Sequence, residues 1–326
     1  VPRADGIVLV NLGTPDAPTA AAVRRYLAEF LSDPRVVELP RLVWWPILHG
    51  LVLRLRPARS AKKYAAVWTP QGSPLAMHTA RQAEALAARL ATSGARVAYA
   101  MRYGRPRIAD VVAQLAAQGC ATLRVIPMYP QYARSTTQSV RDVLEALRRA
   151  GRARVPALEM VEDFHQHPAY IAALAAGVRR HWAAQGPGEI LLMSFHGLPK
   201  RAVQRGDPYE RQCQATARSL AQALELDASR MRVTFQSRFG PAQWLEPYTE
   251  PTLQALARDG LGRVDVVTPG FVADCLETLE EIGLGAREAF LDSGGQEFHL
   301  LPCLNDSAEW IEALAQIALE HPARPV

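Results

Sequence analysis

Short apolar, β-branched runs alternate along the chain with longer stretches whose apolar residues recur every three or four positions. Residues 6–12, 96–101, 122–126, 190–195, 231–237 and 263–268 carry the first pattern and predict strands. Residues 77–92, 106–118, 135–149, 168–182 and 207–224 carry the second and predict helices. Such alternation predicts parallel sheets with helical crossovers, an α/β fold. Gly13-Thr14-Pro15, Gly197-Leu198-Pro199 and Thr268-Pro269-Gly270 follow strands and place sharp turns at their carboxyl ends.

The two halves resemble each other. The run Arg96 to Gly104 aligns without a gap on Arg232 to Gly240, and Leu9 to Pro15 aligns on Leu192 to Pro199 with one extra residue, His196. Chance likeness of short apolar strands is the alternative, but two matches in the same order point to two similar Rossmann-like domains, each a parallel sheet flanked by helices. The first is expected over residues 1–162, completed by a C-terminal helix at 306–326, and the second over 163–305. Gly13 and Gly104 are 91 residues apart, Gly197 and Gly240 only 43, so the first half holds 48 more. That insertion falls at about residues 15–65, at the carboxyl edge of the sheet, where α/β proteins build ligand sites.

Charge changes the picture at the same place. The chain of 326 residues is 49% hydrophobic and 21% charged with a net charge of +5, which suits a globular protein and argues against a nucleic-acid partner. Between Glu38 and Glu84, however, there is no acidic residue, while Arg41, Arg54, Arg56, Arg59, Lys62, Lys63 and Arg81 accompany Trp44-Trp45-Pro46-Ile47-Leu48. This combination suits an anionic, apolar partner and predicts exposure of a tryptophan, with salt-sensitive peripheral association at anionic membranes. Packing within the first domain is the alternative. With no span of roughly 20 apolar residues and no signal-peptide pattern, a cytoplasmic location is expected. Cys120, Cys213, Cys275 and Cys303 are scattered and read as reduced thiols.

His196 ends an apolar strand just before Gly-x-Pro, so its imidazole should face the crevice beyond the sheet, where it suits either a proton acceptor or a metal ligand. Asp274 reads as the N-cap of a helix that would carry Glu277 and Glu281 on one face, although acids in a first turn also serve the helix dipole alone. Arg102 and Arg238 occupy matched repeat positions and could bind carboxylates, while Tyr129-Pro130-Gln131-Tyr132 offers aromatic surface. The His165-Gln166-His167-Pro168 run reads as a helix entry rather than a metal site. No G-x-G-x-x-G, Walker, G-x-S-x-G or H-E-x-x-H motif occurs.

Taken with Asn11-Leu12-Gly13-Thr14-Pro15, Tyr129 to Thr137, Ser194-Phe195-His196-Gly197-Leu198-Pro199, Phe235 to Leu245 and Asp274 to Leu279, the chain resembles the ferrochelatase family along nearly its whole length. The resemblance implies a chelatase fold and a lyase of haem biosynthesis that inserts ferrous iron into protoporphyrin IX, releasing two protons. It implies His196 and Glu277 as catalytic and metal-handling groups, with Glu281 on a metal or proton path. The porphyrin would lie in a cleft between the domains, against Leu12, Gly13, Thr14, Arg102, Tyr103, Tyr129, Pro130, Gln131, Phe195, Gly197, Leu198, Pro199, Gln236, Ser237, Arg238 and Trp244. Trp44, Trp45, Ile47 and Leu48 would form an apolar lip over it. Ferrous iron is then a substrate; neither a tightly bound cofactor nor an iron–sulfur cluster is expected. Two departures stand out: Cys275 occupies a position where many relatives have histidine, and Gly285 interrupts an acidic row that some continue. A chelatase for coproporphyrin or sirohydrochlorin, and a non-catalytic tetrapyrrole-binding protein, are the rival readings.

Overall fold

The computed structural model describes residues 5–150 and 155–326, and the chain divides into two compact units: residues 1–163 with 314–326, and residues 164–313. Unit 1 opens with β1 (Gly6–Asn11), buried along its whole length. The insertion then supplies α1 (Ala20–Leu31), α2 (Arg41–Ile47) and α3 (Leu53–Val67), followed by α4 (Pro74–Arg89). Between α2 and α3 the helix widens into a π turn at Leu48–Val52, directly after Pro46, whose missing amide cannot continue an α-helical ladder. Next come β2 (Arg96–Met101), α5 (Ile108–Ala117), β3 (Thr122–Pro127), α6 (Ser139–Arg149) and β4 (Ala157–Met160).

Unit 2 repeats the plan with α7 (Pro168–Gln185), β5 (Ile190–His196), α8 (Lys200–Gln204), α9 (Tyr209–Ala223), β6 (Met231–Gln236), α10 (Thr249–Arg258) and β7 (Arg263–Val267). A ten-residue π-helix (Glu277–Ala286) runs into α11 (Arg287–Asp292), and β8 (Glu297–Leu300) completes the sheet. The last helix, α12 (Ala308–Glu320), begins in unit 2 and ends in unit 1, where β9 (Arg324–Pro325) joins the first sheet.

Strand order is β2-β1-β3-β4-β9 in one sheet and β6-β5-β7-β8 in the other, parallel except for antiparallel β9. The four parallel strands of each unit therefore share one order, the signature of an internal repeat. Each sheet buries apolar side chains against its helices. Val8, Val10, Val125 and Leu144 lie in the unit 1 core, and Leu192, Leu253, Val264, Ile282 and Phe290 in that of unit 2.

The detailed register corrects one part of the sequence reading. Gly13 lies so close to the Tyr103 carbonyl that a Cβ would sit 1.8 Å from it; Gly197 lies in the same way against the Gln236 carbonyl, at 2.7 Å. These contacts make Tyr103 equivalent to Gln236 and Gly104 to Ser237, three residues away from the Arg-aromatic-Gly match. Arg102 and Arg238 are therefore not counterparts. Close backbone approach, which only glycine permits, sets the register, and the likeness of the two tripeptides does not.

Candidate active site

β5 delivers His196 to the carboxyl edge of the unit 2 sheet, where burial ends: Ser194 and Phe195 are buried and His196 is half-exposed. His196 Nδ1 is 2.7 Å from the carbonyl oxygen of Gly197. A carbonyl can only accept, so Nδ1 carries a proton, and in the neutral ring it is Nε2 that presents its lone pair. The backbone of His196 is fixed as well, because the Tyr209 hydroxyl on α9 donates to its carbonyl at 2.9 Å. Burial holds that phenol protonated, well above the usual tyrosine range, with the neighbouring Cys213 adding to the effect. The rings of Trp244 and Phe271 flank the imidazole, each 6.5 Å away between centroids.

The carboxylates arrive on the π-helix. Asp274, expected as a helix N-cap, serves instead as a buried acceptor: Thr278 Oγ1 reaches its Oδ1 at 3.0 Å and Asn305 Nδ2 its Oδ2 at 2.7 Å. Thr278 Oγ1 in turn accepts from the Cys275 amide at 3.0 Å, tying the first π turn to the loop before it. The buried Cys275 thiol is pushed well above its ordinary range, first by burial and then by the negative charge of Glu277, to which it is hydrogen-bonded. Cys275 therefore meets Glu277 as a neutral donor rather than as a thiolate. Cys303 is likewise held protonated by burial, next to Asp274.

Gln236 joins the two groups. It pairs with His196 in the sheet register, and its Nε2 donates to the Glu277 carbonyl at 2.8 Å while its Oε1 accepts from Ser194 Oγ at 2.9 Å. Glu281, one turn beyond Glu277, accepts from the Ser237 amide at 2.7 Å and from the Ser237 hydroxyl at 2.5 Å. Ser237 has a φ of +66°. The following loop returns along the turn after His196: Lys200 N donates to Gln243 O, and Leu245 N to Leu198 O, both at 2.9 Å. Arg238 is exposed, its guanidinium lying 5.2 Å from the centre of the Tyr248 ring.

In unit 1 several candidate residues are occupied locally. The Arg102 guanidinium pairs with Asp33 at 2.6 Å and donates to Ser139 Oγ, also at 2.6 Å; the buried Tyr103 hydroxyl donates to the same Asp33 oxygen at 2.7 Å. Arg102 is thus held in an internal network. Thr14 Oγ1 donates to Ser73 Oγ at 2.9 Å, and Leu12, half-buried, precedes the glycine that sets the register. Tyr129 is half-buried and its hydroxyl has no hydrogen-bond partner among the described residues, whereas Pro130 and Gln131 are buried outright.

The insertion divides its apolar residues between two sides. Trp44 is buried with its Nε1 donating to Leu31 O at 2.7 Å, and Leu48 is fully buried, so both pack inside unit 1 and not on a lip. Helical spacing forces the split, since Trp45, its ring tilted against that of His49 with centroids 4.0 Å apart, must then face outward at 49% exposure. Leu42, Val43, Ile47, Leu51 and Leu55 are exposed with it.

A ferrochelatase family profile matches residues 4–322. The chain belongs to the ferrochelatase family. This ferrochelatase-family chain is 60% identical over 310 residues to the ferrochelatase of Azoarcus sp. (strain BH72), covering 95% of this chain and 85% of the relative. It is 57% identical over 319 residues to the ferrochelatase of Aromatoleum aromaticum, covering 97% and 87%. Among solved structures, SirB from Bacillus subtilis with Fe3+ superposes with a TM-score of 0.56 at 12% identity, over 97% of this chain and 95% of that one. The sirohydrochlorin chelatase SirB of Bacillus subtilis subspecies spizizenii in complex with cobalt gives 0.52, also at 12%. These two likenesses establish the chelatase fold.

Sequence reasoning missed the residues that hold the candidate side chains from behind: Tyr209, Thr278 and Asn305 for those of unit 2, and Asp33 and Ser139 for Arg102 and Tyr103 of unit 1. Thr278 acts on Asp274 and Cys275 within its own turn, whereas the others act through partners distant in sequence, up to 106 residues away for Ser139 and Asp33, so local spacing carries no trace of them.

Proposed function

We infer that the chain inserts ferrous iron into protoporphyrin IX, with release of the two pyrrolic protons, and that His196 and Glu277 are the groups that do it. The observation that carries this reading is the state of His196. Its Nδ1 proton is held by the Gly197 carbonyl, which makes Nε2 the nitrogen that acts as the base, at the exposed end of a buried strand. Such an imidazole, in its neutral form, can take a pyrrolic proton. Glu277, approached by the Cys275 thiol, supplies the anionic oxygen ligand that a divalent ion sheds water for, and both product protons need an acceptor of this kind. Glu277 is hung from the His196 strand through Gln236, so its position is coupled to that of the base.

The exposed side chains of Leu42, Val43, Trp45, Ile47, Leu51 and Leu55, with Arg41, Arg54 and Lys62 near them in sequence, support an apolar porphyrin carrying few carboxylates and peripheral association with an anionic membrane. No helix among the described residues is long and apolar enough to cross a membrane.

The test is His196→Ala. Haem formation from protoporphyrin and ferrous iron should be lost, while porphyrin binding, followed by fluorescence, survives because apolar area dominates affinity. Near-normal turnover would reject the assignment, and faster insertion into coproporphyrin than into protoporphyrin by the unaltered protein would reject the substrate.

A further inference from the structure

Ser237 takes a left-handed backbone conformation, which costs any residue with a Cβ. In unit 1 the equivalent position, one residue past the carbonyl that the register glycine touches, is Gly104, with a φ of +85°. Both turns meet a carboxylate: Gly104 N donates to Glu29 Oε2 at 3.0 Å, and Ser237 N to Glu281 Oε1 at 2.7 Å. Only in unit 2 does the side chain join in, with Ser237 Oγ donating to the second oxygen of Glu281 at 2.5 Å. Glycine needs no such hold, whereas serine does. What is held is the exit of β6. From Ser237 the chain runs out through Arg238 and Phe239 and comes back with Trp244 beside His196, Trp244 Nε1 donating to Phe239 O at 2.8 Å on the way. The far side of that loop is tied to the turn after His196 by the backbone of Gln243 and Leu245, so a change of φ at residue 237 would alter the path from β6 to Trp244.

We propose that Glu281 is a positioning residue: its two carboxylate oxygens latch Ser237 in the left-handed conformation and so fix Trp244 against His196. Both oxygens serve Ser237, and Gln236 Nε2 stands 3.5 Å from one of them, so Glu281 contributes geometry where Glu277, one turn earlier, contributes chemistry. The activity readout of this role rests on the chelatase reading; the latch itself does not.

The experiment compares Glu281→Ala, Glu281→Gln, Ser237→Gly and the double variant Glu281→Ala/Ser237→Gly in the full chain. Amide hydrogen exchange over residues 237–245 reports the latch without reference to activity, and should quicken in Glu281→Ala while remaining near normal in Glu281→Gln. Glutamine can still accept from the Ser237 amide and donate to its hydroxyl. For iron insertion, Glu281→Ala should lower kcat by about tenfold with little change in porphyrin KM, the size set by a left-handed residue left unsupported. In Glu281→Gln the fall in kcat should be smaller than in Glu281→Ala, because the amide can still hold Ser237, and Ser237→Gly serves as the parent against which the double variant is compared. The double variant should regain about fivefold over Glu281→Ala, because glycine removes the conformational cost that the latch offset. Unchanged exchange in Glu281→Ala would overturn the proposal even in a protein without activity. So would a double variant no better than Glu281→Ala, or a Glu281→Gln as impaired as the alanine form, since either would assign Glu281 to metal or protons. Absence of iron insertion by the unaltered protein would count against the functional reading alone.

Discussion

Replacing Arg102 by leucine separates two roles that sequence cannot distinguish. If Arg102 binds a porphyrin carboxylate, its loss raises porphyrin KM and leaves the fold intact. The structure places it in a buried network, its side chain 16% exposed and that of its partner Asp33 only 5%. Asp33 Oδ2 also accepts from the Tyr103 and Ser139 hydroxyls, at 2.7 and 2.6 Å. Leucine leaves that carboxylate buried without its paired guanidinium, held by three neutral donors, the Tyr103 and Ser139 hydroxyls and the Arg35 amide. Breaking a buried pair from one side costs about 3–5 kcal/mol, and partial solvent access to Arg102 points to the lower end, about 3 kcal/mol. At about 2–4 °C per kcal/mol for a domain of this size, thermal unfolding followed by circular dichroism should show a Tm lower by roughly 6–12 °C. Porphyrin affinity of the folded fraction should be unchanged. A Tm within about 2 °C of the unaltered protein, together with a raised porphyrin KM, would refute the structural role.

Glu277→Gln should keep porphyrin binding and lose most iron insertion, because an amide cannot accept a proton, while Glu280→Gln should be nearly silent; equal losses would show that helix acids act only through bulk charge. Trp45→Ser should weaken co-sedimentation with anionic vesicles at low salt without lowering Tm, whereas Trp44→Ser should lower Tm by removing a buried ring and its hydrogen bond to Leu31; the reverse pattern would invalidate the division of the insertion into inner and outer sides. Cys213, Cys275 and Cys303 are all held above their ordinary value of 9.0 by burial, so the unfolded chain ionises them first and stability is lost as pH rises past that value. Denaturant titrations at about pH 8 and pH 10 should show the decline, which should be smaller when Cys213 is replaced by alanine; no decline would mean these thiols are not buried in solution.

The central strands of both sheets were legible because they are apolar runs bounded by Gly/Pro turns, and the helices that pack on them because their apolar spacing is regular. β4, β8 and β9 were not. At two to four residues, strands such as Ala157–Met160 and Arg324–Pro325 carry too short a pattern to separate from loop. The helices α1 to α3 were unreadable as such, for Pro46 and Pro57 interrupt the periodicity and the π turn shifts its phase. The site divides along the same line. His196, Glu277 and Gln236 lie in recognisable local contexts, whereas the Asp33 network depends on residues that only the fold assembles. The three-residue slip between Arg102 and Arg238 shows how far a short motif can mislead when backbone contact, not side-chain identity, sets register.

The passage of α12 from unit 2 into unit 1 has a consequence for synthesis. Arg124, in the middle of the first sheet, donates to the Ala318 carbonyl, and β4 is covered by β9 through residues 324 and 325 together with Val326 N, which donates to Leu158 O at 3.0 Å. During translation the first unit therefore waits, with β4 as an open edge, until the whole of the second has been made. At about 5–20 residues per second that interval is roughly 8–30 s, long enough for an unpaired edge to meet another nascent chain. Folding yield in the cell should thus depend on the final helix and strand more than on any segment of similar length within either sheet.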